Sequence, residues 1–127
     1  MSIQVRWADS KQTIVLYQYA DNWTWAEVYE AMTESKRLLD GDFKEVFFIH
    51  DFTNGQTVPK DVFTHGRRFI FEMPENTIVA LVGTALLGRM LIDVLSRFSP
   101  KFKQQYRLAE TVDEAIALIE HEQPSMK

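Results

Sequence analysis

The chain of 127 residues contains no cysteine. No disulfide frame, thiol nucleophile or thiolate metal site can therefore be built from it, which suits a reducing compartment. Nor does it have an apolar run near the roughly 20 residues that a bilayer-spanning helix needs. The opening MSIQVRWADSK breaks up within a few residues and carries no charged end followed by an apolar stretch. Basic charge is also short: 14 Lys and Arg stand against 18 Asp and Glu, a net charge of −4, so a nucleic-acid face would have to be assembled locally. Linkers, repeats and low-complexity tracts are missing too. These absences predict a soluble, cytoplasmic protein with no membrane insertion, folded as a single domain over 1–127 with a flexible tail of about five residues.

What is present is enough for a core. Apolar residues make up 46% of the chain and aromatics 13%, so large side chains are available to bury. Ile3-Gln4-Val5-Arg6-Trp7 alternates as a half-buried strand does, and a short turn at 8–12 joins it to a second β-rich run, Thr13 to Tyr19. Thr24-Trp25-Ala26-Glu27 fits a capping box, and Val28, Tyr29 and Met32 follow at helical spacing towards Gly41. Glu45 to Asp51 reads as a third strand, apolar enough to be buried on both faces. Pro59 opens a second helix that Pro74 stops, and Thr77 to Val82 forms a fourth strand. Thr84 caps a third helix ending near Pro100, and Lys103 to Leu108 is a fifth strand. Thr111-Val112-Asp113-Glu114, a second capping box, starts the last helix. The order β-β-α-β-α-β-α-β-α predicts an α/β fold, with a mostly parallel five-stranded sheet, an N-terminal β-hairpin and covering helices.

Sites are sought beyond the carboxyl ends of the parallel strands, where open α/β sheets bind ligands. The segment HDFTNGQTVP (50–59) falls there. His50, Asp51, Thr53 and Asn54 precede a helix start, whose amides would favour an anion or a phosphorylated hydroxyl. Turn chemistry explains the same residues without a ligand, with Asp51 and Thr53 bonding the loop and Gly55 supplying a positive φ. His50 and His65 with Asp51 and Asp61 form a mixed N/O set, but no metal-binding spacing is matched, and an Asp61–His65 ion pair on a helix surface accounts for half of it. Gly83-Thr84-Ala85-Leu86-Leu87-Gly88-Arg89-Met90 imitates a phosphate loop, yet it has Arg89 for the lysine and Met90 for the hydroxyl. Arg97, Lys101, Lys103 and Arg107, with Phe102 and Tyr106 between them, are a thin footprint for nucleic acid, which is not expected as a partner. His121 suits the end of the last helix. Trp23 and Trp25 flank the first cap, either as a staple with Trp25 in the core or as an exposed binding pair. No nucleophile stands beside a base, so neither an enzyme nor a cofactor is expected.

With these residues in place, the whole chain resembles the STAS (sulphate transporter and anti-sigma factor antagonist) superfamily in element order. In anti-sigma factor antagonists the third strand ends in an acid, and an Asp-[Ser/Thr]-[Ser/Thr]-Gly turn carries a hydroxyl that a partner kinase phosphorylates. Asp51-Phe52-Thr53-Asn54-Gly55 is similar, with Asp51 matching the acid, Thr53 the phosphoacceptor and Gly55 the glycine. Phe52 takes the place of the first hydroxyl, Asn54 is additional, and Gln56 to Val58 delay the helix. The long loop and AETVDEAIALIE are similar to divergent members. The resemblance implies a non-enzymatic regulatory or protein-interaction module. Its partner surface would be the 50–59 loop with Phe63, Arg67 and Ile70 of the second helix, and a homodimer through the edge strand at Ile3 is the favoured assembly. The alternative is a small-molecule binding protein for a lipid-like or anionic ligand, with Phe47, Phe48, Phe63, Phe69 and Phe71 as lining. A hydrolase or transferase using His50 and Asp51 is the third reading.

Overall fold

The computed structural model describes residues 2–38, 47–55, 59–61, 64, 65, 67, 68, 77–84, 93, 96, 97 and 105–122. The described elements run β1 (Ile3–Trp7), β2 (Ile14–Ala20), α1 (Trp25–Leu38), β3 (Phe47–Asn54), β4 (Val79–Val82), β5 (Tyr106–Ala109) and α2 (Val112–Glu122). They make an α/β fold around one five-stranded mixed sheet with strands in chain order. The β1–β2 pairing is antiparallel, and β2–β3, β3–β4 and β4–β5 are parallel. The second and third expected helices lie mostly outside the described residues. Of them, 64, 65, 67, 68, 93, 96 and 97 are helical. The end of α1 at Gly41 and the tail also lie outside.

Local chemistry accounts for the element ends. Asp9 organises the β1–β2 turn: its carboxylate accepts the amides of Thr13 (3.0 Å) and Ile14 (3.1 Å) and the Thr13 hydroxyl. Burial pushes the Asp9 carboxyl up, but these donors outweigh it and hold the group below its ordinary value. At α1, the Glu27 amide donates to Thr24 Oγ1 (3.2 Å) while Glu27 Oε1 accepts the Thr24 amide (3.1 Å), closing the box in both directions. Glu27 Oε2 also takes the Ser2 amide (2.8 Å), tying the chain before β1 to the helix. At α2, the Glu114 amide donates to Thr111 Oγ1 (3.1 Å), but Glu114 reaches back one residue further, to the Glu110 amide (3.3 Å).

Alternation along the strands sends successive side chains to opposite faces, and each face has its own core. Beneath α1 lie Ile3, Val15, Tyr17, Tyr19, Phe48, Val79 and Tyr106, closed by Val28, Ala31 and Met32. Against α2 lie Ile14, Leu16, Phe47, Ile49, Ala80 and Val82, closed by Ala115 and Ile119. Each large aliphatic or aromatic side chain so buried is worth about 1.5–3 kcal/mol.

Three expectations need correction. The third strand does not stop at Asp51: it runs on to Asn54, which pairs with Ala20 beyond a register shift that gives β3 one residue more than β2 between Asp51 and Asn54. Tertiary pairing thus overrides turn-former propensity. The fifth strand begins at Tyr106, with Gln105 still helical. And Trp25 is half-buried, whereas Trp23 is the tryptophan in the core.

Candidate functional site at the carboxyl rim of the sheet

The extension of β3 puts the Asp51–Gly55 segment at the carboxyl rim of the sheet, with alternating residues on opposite sides of the strand. Asp51 and Thr53 share the α2 side. The Thr53 hydroxyl donates to Asp51 Oδ1 at 2.6 Å, and its amide donates to the same oxygen at 3.0 Å. Thr53 is exposed and Asp51 half-buried. Gly83, just past β4, forms the adjoining wall. It holds φ at +73°, and a Cβ built on it would lie 2.7 Å from Thr53 Oγ1 and 3.0 Å from the Thr53 backbone. Glycine is needed there for space as well as conformation. Its amide donates to the Ala109 carbonyl (3.3 Å), linking the ends of β3, β4 and β5.

His50 and Phe52 point the other way, into the α1 side. His50 is 2% exposed, its Nδ1 2.8 Å from the Tyr19 hydroxyl and its ring 4.5 Å from that of Tyr17. Burial pushes its pKa down to about 3, so it is neutral in the folded chain at pH 7. The Tyr19 and Tyr17 phenols are raised by the same burial; Tyr17 also meets Ser35, on the buried stripe of α1. Phe52 stacks on Tyr19 (4.2 Å), and Tyr19 meets Trp23 edge-on (5.1 Å). Because His50 and Asp51 lie on opposite faces, the fold does not bring them together as an acid–base pair. For the same reason Phe47 and Phe48 line different cores.

Gly55 acts differently from the expectation. Among the described residues φ is positive at Gln12, Asn22, Asp61 and Gly83, and not at Gly55. Its role is close approach: a Cβ would fall 2.7 Å from Tyr19 Cβ. Its carbonyl accepts Trp23 Nε1 (3.2 Å) and its amide donates to Phe52 (3.0 Å). Asn54 is exposed at the strand end.

The chain that follows is pinned to α1 by aromatic contacts. Trp25 Nε1 donates to the Lys60 carbonyl (2.7 Å), and its ring stacks on His65 (4.9 Å). His65 Nδ1 lies 2.8 Å from the Tyr29 hydroxyl, with the Arg68 guanidinium 4.8 Å over that ring. Asp61 has φ +64° and offers His65 its backbone carbonyl (3.1 Å), so Trp25 and Tyr29 hold His65 where a surface ion pair was expected. Among the described residues no group of three or more His, Asp or Glu is arranged to hold a metal. Arg67 is exposed on this segment; Phe63 and Ile70 lie outside the described residues.

Of the basic stretch, Arg97 is exposed, Arg107 donates to the Tyr106 carbonyl (3.0 Å), and Tyr106 is a core residue. Lys101, Phe102 and Lys103 lie outside, as do 85–90 of the phosphate-loop imitation. His121 is exposed in the last turn of α2. No helix among the described residues is long and apolar enough to cross a membrane.

Sequence reasoning missed Gly83 as the wall beside Thr53, and Tyr17 and Tyr19 as neighbours of His50. The second had a signal: Tyr17 and Tyr19 alternate with the same period as His50 and Phe52 on the next parallel strand. The first had none, since 53 and 83 meet only through the sheet. Comparison of the chain with family models, with curated proteins and with solved structures found no match.

Proposed function

We propose that the protein is a non-enzymatic, STAS-like regulatory module, working in the cytoplasm, that binds a protein partner at the carboxyl rim, with Thr53 as its phosphoacceptor. One observation carries this reading: an exposed hydroxyl at the end of a central strand, held 2.6 Å from a carboxylate on the same face. A phosphothreonine carries a charge of about −1.5 to −2 at neutral pH. At Thr53 it would replace a donated hydrogen bond with repulsion from Asp51, and Gly83 walls one side of the group. Modification would therefore loosen the end of β3 and change the surface that a partner meets. The continued strand favours this local repulsion over docking of the phosphate on a following helix.

The test starts with intact mass of gently purified protein under denaturing conditions. The expected result is one phosphoryl group, mapping to Thr53 and missing from Thr53→Ala. Capture of a protein partner should then differ between Thr53→Ala and Thr53→Glu and weaken in Asp51→Ala. A bare chain removes Thr53 as the acceptor. Equal capture by wild type and all three folded variants removes the rim as the partner surface.

A further inference from the structure

We infer that β1 is a self-pairing edge, and that two copies of the chain join through it, antiparallel about Val5, into one continuous sheet. The inference does not depend on the rim or on Thr53. In the β1–β2 register, Ile3 faces Tyr19 and Trp7 faces Val15. The Ala20 amide donates to Ser2 and the Ala8 amide to Ile14, both at 2.7 Å. These bonds fix the parity of the ladder: even-numbered residues of β1 bond inwards to β2, and the N–H and C=O groups of Ile3, Val5 and Trp7 face outwards. No strand among the described residues pairs with that side. β1 also lacks two of the usual guards of an open edge, since it contains no proline and its ladder with β2 shows no register shift; its one charge, Arg6, finds an amide partner in the register centred on Val5.

What selects a second copy is the symmetry of IQVRW. Outward groups must pair with outward groups, so two-fold registers change in steps of two positions. Centred on Val5, every outward residue finds a partner: Val5 opposite Val5 of the partner subunit, and Ile3 opposite Trp7 of the partner subunit. Each such pair exchanges two backbone hydrogen bonds. On the α1 side this adds cover to Val5 and Trp7, which one subunit leaves half-buried. On the other face Gln4 lies opposite Arg6 of the partner subunit, an amide oxygen facing a guanidinium. Arg6 already uses that chemistry within the chain, donating from Nε to Gln18 Oε1 at 3.1 Å. Slipping one step sets Arg6 against Arg6 of the partner subunit, a like-charge pair. Slipping the other way carries Trp7 past Ile3, where the partner strand begins.

Sedimentation velocity on the full chain is expected to give twice the 14.8 kDa of one subunit. Val5→Pro removes an outward amide and leaves the β1–β2 ladder untouched, so the mass should halve while the far-UV spectrum is kept. Should that variant not fold, cysteines settle the matter, since the chain has none of its own. A mixture of Gln4→Cys and Arg6→Cys should form a disulfide between the two variants on mild oxidation, whereas neither should cross-link with itself. A monomeric wild type, a dimer unaffected by folded Val5→Pro, or self-linked Arg6→Cys would each overturn the inference.

Discussion

The two faces of the sheet are made by alternate residues of the same strands, yet they are chemically unlike. The buried core of the α2 face is hydrocarbon, with Ile14, Leu16, Phe47, Ile49, Ala80 and Val82 under Ala115 and Ile119, and its polar residues, Arg6, Gln18, Asp51 and Thr53 among them, lie outside that core. The α1 face buries Tyr17, Tyr19, Trp23 and His50 among its apolar residues, and their polar atoms reach Ser35, Gly55 and one another. A hydrocarbon face gains stability from area alone and does not respond to pH. A hydrogen-bonded aromatic face gains less per group but depends on partners and on protonation state. Neighbouring residues on one strand, Ile49 and His50, thus belong to different physical regimes.

The largest test of this contrast is Ile49→Ala, which opens a cavity in the hydrocarbon face. It should cost about 2–5 kcal/mol in urea unfolding, and the loss should be the same at pH 5 and pH 7. His50 sets the next effect. Its ordinary pKa of 6.5 falls to about 3 on burial, so between those values the unfolded chain binds a proton that the folded one refuses. The contribution is complete above pH 6.5 and is lost as pH falls through the window, by about 1.4 kcal/mol per pH unit. Unfolding measured from pH 6.5 to 4 should show that slope in wild type and Ile49→Ala, and a flatter one in His50→Phe. The smallest effect separates the helices that close the two faces: Thr24→Ala and Thr111→Ala should each cost about 1 kcal/mol. Thr24→Ala should cost the more of the two, because its box is closed in both directions.

Local spacing made part of this legible in advance. The Thr24 capping box, the Thr111 cap, the β1–β2 hairpin and the buried stretch of β3 from Phe47 to His50 depend on residues within a few positions of one another, and they appear at the expected places. The rim was harder to read because its polar residues take their roles from distant chain. Thr53 and Asn54 look like turn-formers, and pairing with β2 makes them strand. His50 looks like a loop histidine until Tyr17 and Tyr19 surround it. Gly55 looks like a turn glycine and is required by the nearness of Tyr19. In each case the residue type is compatible with two environments, and only a contact some thirty or more positions away decides between them.

The sheet's strand order has a consequence for synthesis. Among the described strands none is inserted between two earlier ones, so the sheet can grow at one edge as the chain leaves the ribosome, each new strand meeting the one made before it. The α1 face gains its helix early, between β2 and β3. The helix that closes the other core comes last: α2 starts only at Val112, thirty residues after β4 ends at Val82. At about 5–20 residues per second, the hydrocarbon side of the nascent sheet waits without that cover, and the polar-bonded side does not. Premature association during translation should therefore start from the α2 side, whichever site the finished protein uses.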